Sequence, residues 1–244
     1  YTVDGIVDIS TLIDLREIEG FSELKFSSWK KSLIKGFVPG QPFWDKIKQG
    51  DILLHVPYQS YEPVLQFIND AADDPDVLAI KMTLYRTSNH SAITAALERA
   101  ARNGKQVTVF VELKARFDEK QNISWADRLE RAGAIVVYGI VNLKVHGKLM
   151  LVVRREQTGV KRYVHFSTGN YNEKTANLYS DISVFTGNYE IATDASLFFN
   201  MISGYSAIQT MTRMFMAPIN IKTKLLSMIE REIQSASPEK PGLI

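Results

Sequence analysis

The chain has 244 residues, 45% of them hydrophobic and 23% charged, a balance ordinary for a globular protein with a sizeable core. A formal net charge of +2 is too small to imply bulk nucleic-acid binding, and the lack of cysteine excludes disulfides and thiolate metal sites. No apolar run approaches the ~20 residues that span a bilayer, and no secretory signal opens the chain, so a cytoplasmic setting is expected.

Residues 1 to about 37 read as helical or irregular, with scattered apolar positions (Ile9, Leu12, Ile13, Leu15). The cluster Val38-Pro-Gly-Gln-Pro42 punctuates the chain, and 38–50 reads as a linker holding a short helix over Phe43–Lys48. From Asp51 strands and helices alternate. Ile52–Val56 is a short apolar strand, followed by a helix with Pro63 in its first turn and Val64, Phe67, Ile68 and Ala71 on one face. Val77–Leu84 is a second strand. Ile93, Ala96, Leu97, Ala100 and Ala101 form a helical stripe that Gly104 closes. Gln106–Leu113 is a third strand, Trp125, Leu129 and Ala132 mark a helix stopped by Gly133, and Ile135–Ile140 is a fourth strand. Leu143–Val153 reads as a fifth, Tyr163–Ser167 and Ile182–Phe185 as two more, Asp194–Tyr205 as a helix and Lys222–Gln234 as a last one. Strand–helix–strand units joined by short connections predict an α/β fold with a mixed, largely parallel sheet flanked by helices.

Within the fifth strand, Leu143-Lys-Val-His-Gly-Lys148 breaks the expected pattern. Side chains alternate along a strand, so Lys144, His146 and Lys148 share a face that a buried sheet would make apolar. Such a conflict marks a candidate anion site. Arg86 and Arg116 follow the second and third strands, where the carboxyl edge of a parallel sheet receives ligands, and two guanidiniums there suit phosphate oxygens. Taken singly, each arginine is as readily a partner for a nearby acid such as Asp118 or Glu119. His165 precedes the polar loop Ser167-Thr-Gly-Asn-Tyr-Asn172, whose backbone N–H groups and hydroxyls can face an anion, although a plain turn explains the same loop. His55 and His90 have no basic company and read as structural or surface residues. There is no G-x-x-x-x-G-K-[ST] loop, since Asn142 stands where the first glycine belongs, and no histidine pair has zinc-ligand spacing.

At this point the chain resembles a known family. Asp51–Tyr58 (DILLHVPY), Lys81–Thr87 (KMTLYRT), Gly104–Glu119 (GKQVTVFVELKARFDE), Leu143–Lys148 and Thr168–Asn172 together resemble the catalytic core of polyphosphate kinase of the first type, whose fold is phospholipase D-like. The resemblance implies that 1–37 is the end of a preceding head-like domain, 51–216 a first catalytic domain, and 217–244 the truncated beginning of a second. It implies reversible transfer of the terminal phosphate of ATP, with ADP as the other nucleotide, to inorganic polyphosphate through a phosphohistidine on His146. Lys148 and His165 then resemble further catalytic residues, Lys144, Asn170 and Tyr179 phosphate-binding ones, and Arg86 and Arg116 the arginines of the phosphate and magnesium (Mg2+) site. Expected with it are a homo-oligomer in the full protein, peripheral association with a membrane, no nucleic-acid partner, and an isolated chain that is inactive. Two positions depart from the pattern. Val153 stands where phospholipase D enzymes carry an Asp five residues after the Lys, and Val56 where many relatives have a histidine. The alternatives are a phospholipase D-class phosphodiesterase or phosphatidyl transferase, which Val153 disfavours, and a non-catalytic phosphate-binding module.

Overall fold

In the computed structural model the elements follow one another as α1 (Trp44–Gln49), β1 (Ile52–Val56), α2 (Glu62–Asp73), β2 (Val77–Leu84), α3 (Ala92–Arg102), β3 (Gln106–Val111), α4 (Glu119–Arg131), β4 (Ile135–Tyr138), β5 (Lys148–Glu156), β6 (Gly159–Ser167), β7 (Asp181–Thr186), α5 (Tyr189–Ile202) and α6 (Ile221–Ser235). The structure describes residues 4–5, 8, 12, 14–15, 18–27, 29–85, 91–112, 119–139, 143–204 and 210–244, the side chains of 119–123 excepted. The chain divides into two units, Tyr1–Lys31 and Ser32–Ile244. In the first, a single helical turn spans Ser22–Leu24, Lys25 Nζ donates to the Ile18 carbonyl at 3.1 Å, and the described residues are all exposed.

In the second unit the strands form one seven-stranded sheet in the order β1-β7-β6-β5-β2-β3-β4. The fold is mixed α/β, as the alternation of patterns predicts. Parallel pairing is confined to β2–β3 and β3–β4; β1–β7, β7–β6, β6–β5 and β5–β2 run antiparallel. The reason lies in the connections. A parallel pair needs a crossover of a dozen or more residues, usually a helix, and α3 and α4 supply it for β2, β3 and β4. Only Gln157 and Thr158 separate β5 from β6, where Glu156 faces Gly159, so that pair can only be a hairpin.

Helices cover both faces. On one, α1 to α4 bury Trp44, Phe67, Leu97 and Trp125 against Met82, Met150, Val152 and Phe185 of the sheet. On the other, α5 packs Ala195 and Phe199 against Phe110, Leu149, Leu151 and Val164. Within β5, successive residues therefore serve different cores, which is why its sequence is apolar on both faces. The helix ends follow local chemistry: the Ser91 side chain accepts from Ile93 N–H at the start of α3, the Asn188 side chain accepts from Ile191 N–H at the start of α5, and Gly104 after α3 takes φ +80°, a conformation that disfavours any residue with a Cβ.

One end of the sheet is fastened by charge. Arg154 on β5 meets Asp74 Oδ2 at 2.8 Å, Glu156 Oε1 at 2.8 Å and Asp76 Oδ2 at 3.6 Å, with its guanidinium 5.9 Å from the Trp44 ring centroid. Glu156 also receives Lys48 at 3.0 Å and the Tyr163 hydroxyl at 2.7 Å, and these donors hold its carboxyl down to about 2. Arg154→Ala strips the largely buried carboxylates of Asp74 and Glu156 of their shared cation. It should lower unfolding stability by about 3 kcal/mol, read from the urea midpoint; a shift under about 1 kcal/mol would mean that solvent already screens the network.

Candidate active site

Strand direction brings the segments carrying Lys144, His146, Lys148, Asn170 and Tyr179 to one edge. β2 and β3 run parallel and end together at Leu84 and Val111. β5 runs against β2, so its first residue, Lys148, stands at the same edge. Ser167 at the end of β6 pairs with Lys148, Ser183 of β7 pairs with Ser167, and Asp181 pairs with Val56 at the end of β1. The segments that leave this edge carry Tyr85, Glu112, Lys144–Lys148, Thr168–Tyr171 and Tyr179. This is the side on which open α/β sheets place ligands.

His146 lies just before β5, which begins at Lys148 rather than at Leu143. From Val145 to Gly147 the backbone around it is held by side chains. Val145 N–H donates to Glu112 Oε2 at 3.0 Å. The Thr83 hydroxyl donates to the Gly147 carbonyl at 2.6 Å and accepts from Leu149 N–H at 3.0 Å. Val145, Thr83 and Glu112 are all buried, so the peptides on either side of His146 are fixed from below. Lys144 and His146 remain exposed.

Lys148 Nζ lies 3.1 Å from both His146 Nδ1 and His146 Nε2. An ammonium can only donate, and a neutral imidazole has one nitrogen with a free lone pair, so one of these two contacts at most is a hydrogen bond, the tautomer deciding which. Tyr85 completes the bracket: its ring meets the His146 ring edge-on at 5.1 Å between centroids, and its face lies 5.4 Å from Lys148 Nζ. Lys148 is 7% exposed, and a cation that far out of water carries more of its field to a ligand than a surface lysine does. The arrangement offers a nucleophilic nitrogen, a cation at its side and rigid backbone beneath.

His165 sits two residue pairs deeper in the sheet than Lys148, opposite Met150 and Phe185, and is 1% exposed. Its Nδ1 lies 2.8 Å from the Tyr171 hydroxyl, and burial pushes its pKa down to about 3. The unfolded chain takes up a proton on this residue below about pH 6.5 while the folded chain does not. The stabilisation is therefore complete above that pH and is lost as pH falls toward 3. Its slope is on the order of 1.4 kcal/mol per pH unit in the acid range. Urea midpoints between pH 6.5 and 4 should fall less steeply for His165→Gln than for the parent chain; parallel curves would contradict a neutral, buried His165.

The other expected residues are placed as follows. Tyr179 is 64% exposed on the segment leading into β7. Asn170 has its Oδ1 buried without a hydrogen-bond partner among the described residues. Arg86 and Arg116 lie outside the described residues. A guanidinium has no lone pair to offer a cation, so arginines reach magnesium only through phosphate oxygens. Among the described residues no group of three or more His, Cys, Asp or Glu side chains is arranged to hold a metal ion, and no protein-held magnesium site is assigned. Nor is any described helix long and apolar enough to cross a membrane.

Sequence reasoning passed over Thr83, Tyr85, Glu112 and Tyr171. A hydroxyl in the apolar run Met82–Leu84 and a carboxylate closing a β-branched strand are detectable signals for Thr83 and Glu112, because each conflicts with its strand pattern. Tyr85 and Tyr171 carry no such signal.

Residues 42–208 match the family model described as polyphosphate kinase C-terminal domain 1. The chain is 46% identical over 244 residues to a polyphosphate kinase of Rhodopirellula baltica, covering all of this chain and 29% of that protein. Against a polyphosphate kinase of Synechocystis it is 55% identical over 187 residues, covering 76% of this chain and 26% of that one. The chain thus spans about a third or less of the length of these relatives. Among solved structures, the polyphosphate kinase from Porphyromonas gingivalis superposes with a TM-score of 0.80 at 36% identity, over 91% of this chain and 38% of that one. NucT from Helicobacter pylori shares the fold alone, with a TM-score of 0.50 at 15% identity over 64% of this chain and 96% of that one.

Proposed function

The chain belongs to the polyphosphate kinase family through its C-terminal domain 1, and on that premise we propose that it forms one wall of a site for reversible transfer of the terminal phosphate of ATP to inorganic polyphosphate. The observation that supports this most is the Lys148 ammonium at 3.1 Å from the ring nitrogens of an exposed His146.

In this reading a neutral His146 nitrogen attacks the terminal phosphorus of ATP. The bond from that phosphorus to the bridging oxygen breaks and ADP leaves. The new N–P bond keeps high transfer potential, so a terminal oxygen of polyphosphate can attack the same phosphorus and free the imidazole, or ADP can reverse the first step. Phosphoryl transfer asks the protein mainly to position the groups and to neutralise spread negative charge. Lys148 does so beside the nucleophile, Lys144 at the exposed approach, and Arg86 and Arg116 on the oxygens of the moving phosphoryl group. Magnesium, when bound by the phosphates, neutralises further charge.

A wall of this kind binds its anion without completing the reaction. The isolated chain should bind polyphosphate with an affinity that falls steeply as salt rises, and should turn over ATP at a negligible rate. Titration of polyphosphate at two ionic strengths and a labelled-ATP assay test both halves. Robust kinase activity of the chain alone, or binding indifferent to salt, would contradict the reading.

A further inference from the structure

Tyr171 touches His165 twice. Its hydroxyl lies 2.8 Å from His165 Nδ1 and 3.2 Å from the backbone oxygen of the same residue. A phenol has one proton to give, and a carbonyl oxygen can only accept. The arrangement that makes both bonds sends the hydroxyl proton to the carbonyl and lets Nδ1–H donate to the phenol oxygen. Burial keeps the imidazole neutral, so with Nδ1 protonated its Nε2 carries a bare lone pair.

The surroundings agree. Tyr171 is 2% exposed, and burial raises its hydroxyl well above the ordinary phenol range, so no phenolate stands ready to stabilise an imidazolium. The Phe185 ring packs 4.4 Å from that of His165. Nearby Tyr61, whose hydroxyl has no hydrogen-bond partner among the described residues, adds no charge, its hydroxyl being pushed up by burial and by the Glu173 carboxylate. Among the described residues, His165 Nε2 is buried without a hydrogen-bond partner.

We propose that Tyr171 is a positioning residue that fixes His165 in the Nδ1–H form, so that Nε2 serves as a hydrogen-bond acceptor at the floor of the site. The functional side of this rests on the reading that phosphate is transferred at this edge. A bare lone pair accepts from a hydroxyl, a water or an ammonium, but an ionised phosphate oxygen has no proton to give it. His165 therefore supports the donors that hold phosphate rather than holding the phosphate itself. The same tautomer logic governs imidazoles whose other nitrogen is bonded by a neighbouring group.

The test is spectroscopic and independent of any phosphate chemistry at His146. In the uniformly 15N-labelled chain, two-bond 1H–15N correlations report the tautomer of each of the four histidines, and the His165→Gln spectrum identifies the signals of His165. The expected result at pH 7 is a protonated Nδ1 and a pyridine-like Nε2 on His165, with no titration down to about pH 5. In Tyr171→Phe, which removes the acceptor of Nδ1–H, the pattern should move toward the Nε2–H form. A wild-type His165 protonated on Nε2, or a folded Tyr171→Phe chain with an unchanged pattern, would overturn the proposal. The wild-type tautomer decides by itself if the variant does not fold.

Discussion

Replacing His146 by alanine in a full-length family member carrying this sequence should lower turnover by at least about 10³-fold, because the proposed covalent intermediate forms on its ring nitrogen. His146 is exposed at the sheet edge, so removing its ring leaves no cavity in the core. Stability should change by less than about 0.5 kcal/mol. The two readings together separate a lost nucleophile from a lost fold. Turnover within tenfold of the parent would mean that phosphate passes directly from ATP to polyphosphate, and the proposed two-step route would fall.

Lys148→Met should have the second-largest effect, on the order of 10²-fold in kcat. Methionine keeps the length and apolar stem of lysine and removes only the charge. Lys148 is the cation within hydrogen-bond distance of His146, and phosphoryl transfer spreads negative charge where its field acts. Stability offers a contrast here. Burying an ammonium costs free energy, so the variant should unfold at an equal or higher temperature than the parent. Reduced activity with undiminished stability would identify Lys148 as part of the chemistry; equal losses of both would make it a structural contact.

Much of the fold could be read from local pattern. Val77–Leu84 is recovered with its ends, and Gly104 and Gly133 stop their helices at positive φ. These signals sit in a few neighbouring residues. The balance of strand directions does not. β1 pairs with β7 although more than a hundred residues separate them, with Ile52 opposite Phe185, and nothing in Ile52–Val56 names its partner. The hairpin between Glu156 and Gly159 has Gln157-Thr158 at its turn, which is not a typical hairpin-turn pair, and residues 159–162 (Gly-Val-Lys-Arg) are too polar to read as strand. The burial of α1 residues Trp44 and Ile47 in the main core is likewise a matter of long-range packing.

The candidate site divides in the same way. His146 is conspicuous because Lys144 and Lys148 flank it at strand spacing. What sequence cannot supply is the environment each group meets. Periodicity puts Lys148 on an exposed cationic face, whereas the structure buries it beside the imidazole. It leaves His165 next to a polar loop, whereas the fold turns the ring into the core and bonds it to Tyr171 from that loop. Thr83 and Glu112 act on backbone groups more than thirty positions away, a relation fixed only when β2, β3 and β5 come together.

Mapping the covalent phosphate tests the central claim most directly. A full-length family member carrying this sequence, incubated with ATP and digested under alkaline conditions, should yield one acid-labile phosphate in the peptide containing Val145–Gly147, bonded to a ring nitrogen of His146. Phosphate found on His165, on a hydroxyl side chain, or on no residue of this chain would contradict the account.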